Sequence, residues 1–507
     1  MEQKLITNPA IIKLLDKYKV LWSLNHLSAL AHWDLQTYMP EEGAKGRGES
    51  LAKISSLSQT LFLDKNFTSL IKISEKENLN YYEKGIIRLL NKTLKYYQNL
   101  PPEFIEEFVK TTSEATIVWQ NAKEKDNFSL FEPFLEKIIN LSRKKADYLG
   151  YKIHPYDVLL DEYEEGLTVK DCEIYFNSIK GPIISLLNKI KNSANYKKSH
   201  PLENEPYNLE SMKNLNNKIL NFLRNKKDIR IDISSHPFST HIGPGDQRIT
   251  TRYSSKDFSR PYSSLIHEFG HALYELQSEG QLDYTPISGG TSLIIHESQS
   301  RFWENFIGKS KDFINLFYKD ILNLSPNFKN YTTQDIYEYL NIIRPSLIRT
   351  ESDEITYHLH IIIRFEIEKE LMEDKIKVKD LPRVWNEKYR AYLGVEPKNN
   401  SEGILQDVHW SYGSVGYFPT YSLGTALSTM FKFKMEKDIG NLPNLIRNKE
   451  GIEKIQAWLK QTIHQYGSAY TFSDLTKQVT KEAFNPKYLL DYLENKYNVL
   501  YQISRKL

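Results

Sequence analysis

Residues 263–276, S-S-L-I-H-E-F-G-H-A-L-Y-E-L, carry His267 and His271 four positions apart, with Glu268 directly after the first. On an α-helix that step is about one turn, so the two imidazoles share a face. Both can then reach one ion with bonds of about 2.0–2.1 Å. Glu268 is displaced by about 100° around the helix, which sets it beside the ion, where it can work on a water instead of ligating. H-E-x-x-H on a helix is the metallopeptidase arrangement for this reason. The competing explanation is a helix with incidental histidines. With 13 histidines in 507 residues, chance matches occur in roughly a few chains per hundred, so the surrounding features must carry the assignment.

A catalytic zinc usually has three protein ligands and an open position for water. Glu275 continues the four-residue spacing, but it lies about 12 Å along the axis from His267 at 1.5 Å per residue. A histidine and a carboxylate on one ion span at most roughly 10 Å between Cβ atoms, so the third ligand comes from elsewhere. S-L-I-I-H-E-S-Q-S-R-F-W-E-N-F (292–306) is a second helix candidate, with His296, Glu297, Arg301 and Glu304. His296 and Glu297 are both able to ligate, and spacing does not choose between them. Zinc is the default cation for such a donor set, with Co²⁺ and Mn²⁺ also able to occupy it.

The elements that must position these residues read mostly as helix. Asn8 and Pro9 are suited to the cap and first turn of a helix. Leu14, Tyr18, Leu21, Leu24, Leu27 and Ala31 follow as one apolar face, read as core packing. Further helices are expected near 80–98, 103–123, 130–148 and 168–192, and 451–467 reads as a helix stopping at Gly467. The histidine helix is expected to begin at Pro261, with Leu265, Phe269, Leu273 and Leu276 as its buried stripe. Ile229, Ile231 and Ile233 alternate with polar residues, 241–247 supplies a turn, and 248–253 is a second strand candidate. This predicts a small β-ribbon before the histidine helix. Its second strand is a candidate to bind substrate backbone by strand addition. The polar stretch 192–214 is the best linker candidate.

Net charge is +3, from 67 basic and 64 acidic residues, which offers nothing to a nucleic-acid partner. Cys172 is the single cysteine, so no intramolecular disulfide forms and a reducing compartment is expected. The N-terminal stretch lacks the pattern of a signal peptide, and no run of 18 apolar residues suggests a membrane span. The expected location is the cytoplasm.

H-E-F-G-H followed by H-E-S-Q-S-R-F-W-E-N resembles the carboxypeptidase Taq family of metallocarboxypeptidases. The resemblance spans almost the whole chain. H-W-D-L-Q-T-Y-M-P-E-E-G-A-K-G-R-G-E (32–49), H-P-F (236–238), D-Q-R-I-T (246–250) and G-I-L-Q-D-V-H-W (403–410) are similar to separate family signatures in the same order. One departure is visible: the family's I-R-x-x-A-D reads I-R-T-E-S-D at 348–353, with Ser352 in place of alanine. The resemblance implies that Glu297 joins His267 and His271 as the third ligand. It implies a mainly α, neurolysin-like helical gluzincin fold with two lobes around a long groove, and a homodimer. One catalytic domain over 1–507 is expected, with a helical N-terminal part to about 225 and a zinc-site part from about 226. The implied activity is broad release of C-terminal amino acids, with proline disfavoured.

Glu268 is assigned as general base. A carboxypeptidase also needs a donor for the substrate's terminal carboxylate, and a guanidinium can make two parallel hydrogen bonds to one. Arg349 is the leading candidate through the resemblance of I-R-T-E-S-D; the structural alternative is an Arg349–Asp353 pair one helical turn apart. Arg248 is expected to organise the ribbon through Asp246, and His236 either lines the cleft or is structural. His409 and Tyr421 are candidate oxyanion donors, the tyrosine weighed against 33 tyrosines that mostly pack. Two rival functions remain: a helical zinc oligopeptidase that cuts internally, and an inactive helical binding scaffold.

Overall fold

Asn8 and Pro9 start the first helix, Pro9–Thr37, in the computed structural model, which describes residues 4–224, 227–234 and 236–503. The Asn8 side chain accepts from the Ala10 N–H at 2.9 Å, satisfying one of the unpaired donors of the first turn. The expected helices form at Tyr81–Asn99, Pro102–Glu124, Phe128–Leu149 and Val169–Lys191. The 451–467 pattern becomes Lys449–Thr462 and a short 3₁₀ turn, with Gly467 at φ +51°. The apolar face of the first helix buries only its first half: Leu14 and Leu21 are buried among Phe67, Ile71 and Ile86, but Leu27 is exposed. The linker candidate 192–214 is irregular to 208, apart from a 3₁₀ turn at Pro201–Asn204, and then becomes the Leu209–Leu223 helix.

The fold is mainly helical with one small sheet. The chain divides into two compact units whose segments alternate along the sequence. One comprises the stretch up to Tyr97, His200–Leu340 and Met430–Phe484; the other comprises Gln98–Ser199, Asn341–Thr429 and the chain from Asn485 onward.

The sheet belongs to the first unit and differs from a two-stranded ribbon. Its strands are β1 (Ile229–Ile233), β2 (Ser239–Gly243) and β3 (Asp246–Thr251), in the order β1-β3-β2. β1 runs parallel to β3, and β2 pairs with β3 antiparallel. The stretch read as a turn is mostly strand: His241–Gly243 belong to β2, Asp246 and Gln247 to β3, and only Pro244 and Gly245 turn, Gly245 at φ +73° as such a turn requires. β3 is therefore the central strand. Its backbone is paired on both sides, so strand addition along it is excluded. In β1, Asp232 is buried and Ile233 exposed, the reverse of an inward isoleucine face.

Three of the signature stretches meet in this unit at Trp33, which is buried. Phe238 of H-P-F packs on its ring at 5.3 Å, and the Arg248 guanidinium lies 5.7 Å from it. Arg248 also holds Asp246 with two hydrogen bonds, Nε to Oδ1 at 2.9 Å and Nη2 to Oδ2 at 2.8 Å, as expected.

The histidine helix, Ser259–Leu276, begins two residues before Pro261 because Asp257 Oδ1 accepts from the Ser259 and Arg260 N–H groups. It packs on β3, and Thr251 Oγ1 meets Ser264 Oγ at 2.8 Å. On its other side lies the Leu293–Arg301 helix, which continues into π-helix over Phe302–Gly308. Gly270 sits at this crossing. A Cβ there would lie 2.6 Å from Gln299 O and 2.6 Å from Ser300 Cα, both backbone atoms.

Gly270→Ala should thus destabilise the protein despite alanine's better helix propensity. That propensity gains about 1 kcal/mol, whereas forcing backbone apart in a packed interior costs typically 1–3 kcal/mol, and the shift also carries Glu297 away from the histidines. The expected result is a lower unfolding temperature together with a lower bound-metal content; a variant as stable and as metal-replete as the parent would refute the close-approach argument.

Candidate metal centre

His267 and His271 present their rings from adjacent turns of the histidine helix, with centroids 5.0 Å apart and planes at 79°. Glu297, from the neighbouring Leu293–Arg301 helix, brings Oε2 to 3.7 Å from His267 Nε2 and 3.8 Å from His271 Nε2. The three ligand atoms lie within 4.8 Å of one another. Two imidazole nitrogens and one carboxylate oxygen, buried or half-buried, suit a divalent ion of the zinc type. His296 is not in this group. Its Nε2 lies 2.7 Å from Glu275 Oε1, so Glu275 serves His296, in keeping with the helical-rise argument against its ligation.

The groups behind these three side chains hold them in place. His267 Nδ1 lies 2.9 Å from Glu304 Oε2, so its N–H donates to that carboxylate and leaves Nε2 free to ligate. Glu297 accepts from Arg301 Nε at 2.6 Å and from Ser300 Oγ at 3.1 Å. Glu304 also accepts from Lys309 Nζ at 2.7 Å and Arg301 Nη1 at 3.1 Å. Burial would raise the Glu304 pKa, but Lys309, Arg301 and His267 outweigh it and hold the carboxyl well below its ordinary range.

Glu268 is buried and stands outside the donor set. Burial pushes its pKa up to about 7, with the Glu297 and Glu304 charges adding to the rise and His267 opposing it.

The second unit carries another charged cluster. Arg349, in a 3₁₀ turn (Arg349–Glu351), is buried and binds Asp407 Oδ1 through Nε at 3.0 Å and Nη2 at 2.9 Å. Arg364 binds Asp407 through Nε at 2.7 Å and is fully buried. The helix pair weighed for Arg349 is not formed. Asp353 instead caps the Thr356–Met372 helix, accepting from the Ile355 and Thr356 N–H groups at 2.9 and 2.8 Å. Ser352 donates its hydroxyl to Arg349 O at 2.6 Å, so the departure from alanine adds a bond within the turn. His409 Nε2 lies 3.3 Å from Tyr421 OH, its Nδ1 4.0 Å from Asp407 Oδ1, and its ring 4.6 Å from Phe418. Burial, then Arg349, lowers the His409 pKa to about 3, so the ring is neutral. In the first unit, the His236 side chain is exposed.

The sequence profile of the carboxypeptidase Taq (M32) metallopeptidases matches residues 13–497. The chain is 45% identical to thermostable carboxypeptidase 1 of Pyrococcus furiosus, covering 98% of this chain and 100% of that protein. It is 39% identical to carboxypeptidase 1 of Bacillus subtilis, over 96% and 98%. A solved structure of the Pyrococcus furiosus carboxypeptidase matches with a TM-score of 0.95, covering 97% of this chain and 100% of that one at 45% identity. A crystal structure of an M32 carboxypeptidase from Deinococcus radiodurans matches at 0.93, with 28% identity over 98% and 100%. The chain belongs to the M32 family.

It is therefore a metallocarboxypeptidase, a peptide hydrolase that depends on a divalent metal. Among its described residues, no helix is long and apolar enough to cross a membrane. Three of the charged residues just described had no role in the sequence reading. Glu304 was visible seven residues after Glu297, but its service to His267 depends on the path of the π-helical turn. Asp407 stood inside the Q-D-V-H-W stretch. Arg364 left the clearest trace, as a cation within the apolar run I-I-I-R-F-E-I, since a buried guanidinium needs a partner.

Replacing Glu304 with Gln leaves His267 without its anionic acceptor. Loss of such a supporting partner typically weakens metal affinity 10–100-fold, which competition with a chelating dye would measure; unaltered affinity would deny Glu304 this orienting role.

Proposed function

We propose that this M32 metallocarboxypeptidase releases C-terminal amino acids one at a time, with broad specificity, from peptides carrying a free terminal carboxylate. The observation that carries the reading is the division of labour at His267–His271: two histidines and Glu297 converge, while Glu268 remains outside the donor set and buried. A structural metal site has no need of such a spare carboxylate. Zn²⁺ is the proposed ion, one per chain; when bound it lowers the pKa of a water and polarises the scissile carbonyl.

The protein's own groups then move the protons. Glu268 takes one from the attacking water and delivers one to the leaving amine. Burial raises its pKa, which makes the ionised carboxylate a stronger base than an exposed glutamate. His409 and Tyr421 are proposed to donate to the developing oxyanion. The half-buried, neutral state of His409 supports a donor that is not already an imidazolium. Arg349 is proposed to receive the substrate's terminal carboxylate, since its hydrogen bonds to Asp407 use only the Nε and Nη2 positions. Arg248, engaged with Asp246 and Trp33, supports the sheet, and His236 is retained as a candidate for the substrate path. The whole chain is proposed to work as one catalytic domain, as a homodimer in the cytoplasm.

Mass spectrometry of an unmodified peptide digested by the Zn²⁺-loaded enzyme should give a ladder shortened only from the carboxyl end. Internal cuts in end-blocked peptides would favour an oligopeptidase, and no turnover at full metal loading would favour a scaffold. Glu268→Gln should retain its metal and lose about 10²–10⁴-fold in turnover, the range for a positioned acid–base group; equal activity at matched metal content would end its role. Arg349→Lys keeps a charge for Asp407 but loses the planar fork. Its kcat/KM should fall more on free-acid peptides than on amidated ones, and an equal loss on both would argue against carboxylate binding.

A further inference from the structure

His271 lacks the direct carboxylate support that Glu304 gives to His267. Its Nε2 faces Glu297, and its Nδ1 lies 3.3 Å from His296 Nδ1. His296 Nε2 lies in turn 2.7 Å from Glu275 Oε1. The other Glu275 oxygen accepts the Gly290 N–H at 3.2 Å. Glu275, His296 and His271 are thus in contact in series, and His271 also has a hydrogen bond with the His296 backbone.

We propose that Glu275 and His296 form a positioning relay that fixes the tautomer and orientation of His271. The proposal deepens, and rests on, the reading of His271 as a cation ligand.

With both rings neutral, as a ligating histidine requires, proton placement along the contacts allows one consistent arrangement. A carboxylate only accepts, so the His296 proton sits on Nε2 and points at Glu275. His296 Nδ1 is then an acceptor, and the proton between the rings belongs to His271 Nδ1. That leaves the His271 Nε2 lone pair directed at the Glu297 side, where a ligand must present it. The reverse arrangement puts a proton on His271 Nε2, facing Glu297, and leaves His296 Nε2 without a proton against a carboxylate. The buried carboxylate thus selects the ligating tautomer two rings away, as a directly bonded carboxylate does for an ordinary metal-bound histidine.

The surrounding chain is shaped to this pair. Gly289 has φ +85°, and a Cβ there would fall 2.2 Å from Glu275 Oε2. A Cβ at Gly290 would fall 2.5 Å from His296 Nε2. The two glycines let the backbone close over the Glu275–His296 bond and offer the Gly290 N–H to it. Tyr274 covers the His296 ring at 4.9 Å, and its hydroxyl accepts from the Thr291 N–H at 3.0 Å. The S-G-G-T stretch at 288–291, given no role by the sequence, acquires one as the cover of this relay.

Glu275→Gln tests the relay because it preserves shape while it removes the carboxylate charge and adds a donor where only an acceptor stood. A glutamine that accepts from Gly290 turns its NH₂ toward His296 Nε2. The His296 proton is then driven to Nδ1, where it opposes the His271 N–H. The opposite amide orientation sets the NH₂ against the Gly290 N–H. The full-length variant should bind Zn²⁺ about 10–100-fold more weakly in competition with a chelator, the loss typical of removing a ligand's supporting partner. With Co²⁺ bound, the paramagnetically shifted, exchangeable imidazole N–H signal of His271 should broaden or exchange faster, which a packing role alone would not cause. His296→Phe, which keeps a ring against Tyr274, should show the same loss of affinity. Parent-like affinity and an unchanged N–H signal in both variants would overturn the relay. His271→Ala serves as the control: affinity retained there would overturn the ligand reading itself.

Discussion

The candidate metal centre depends on one close approach, the crossing of the histidine helix and the Glu297 helix at Gly270. A carboxylate from one helix can stand under 4 Å from two imidazoles of the other only if the backbones almost touch. At Gly270 a single methyl group would already collide with backbone on the far side. The cost of this proximity is electrostatic. It gathers three carboxylates, Glu268, Glu297 and Glu304, in a buried space, and an unpaired buried charge is destabilising by several kcal/mol. Arg301 answers both Glu297 and Glu304, and Lys309 answers Glu304. Two fixed cations against three acids leave a deficit that a divalent ion reverses. Burial disfavours a proton on His267, yet Glu297 and Glu304 overcome it and raise that pKa. The field that would hold a proton there is the field that attracts a cation.

The second close approach extends the same design. After Arg301 the chain continues as π-helix to Gly308, where a Cβ would lie 2.7 Å from Ile266 Cδ1 and where Tyr262 donates to the carbonyl at 2.7 Å. The segment that carries Glu304 is therefore held against the histidine helix at both ends, by Gly270 near its start and Gly308 at its finish. Wide π-turns are costly and occur mostly where a site needs a residue re-aimed. Here the residue is Glu304, which must meet His267 from behind.

How far the sequence could be read follows from the range of the forces involved. The histidine pair, the placement of Glu268 and the exclusion of Glu275 came from helical rise and rotation alone, which are local. The choice between His296 and Glu297 did not, because it depends on the phase of one helix against another, which Gly270 sets through contact. The resemblance supplied Glu297, and the geometry groups the same residue with the histidines. The sheet was legible as β1 and most of β3. The edge strand β2 was hidden because His241–Gly243 sit against Pro-Gly and look like part of the turn. Parallel pairing of β1 with β3 is a non-local fact that alternation cannot carry. Arg349 shows the same limit, since its partner, Asp407, lies 58 residues on, whereas the local candidate Asp353 is used as a helix cap.

Glu268 draws these strands together. The burial that brings the three candidate ligands into register also removes water from the neighbouring carboxyl group, and that desolvation is the largest cause of its elevated pKa of about 7. The direction matters. An ordinary exposed glutamate, near 4.3, would be ionised but a weak acceptor for a water's proton. A carboxyl raised toward neutrality is a stronger base once ionised, and a dication beside it favours that ionised form. The packing constraint at Gly270 thus does two things at once: it brings the candidate donor set together, and it takes water away from the carboxyl group left outside that set.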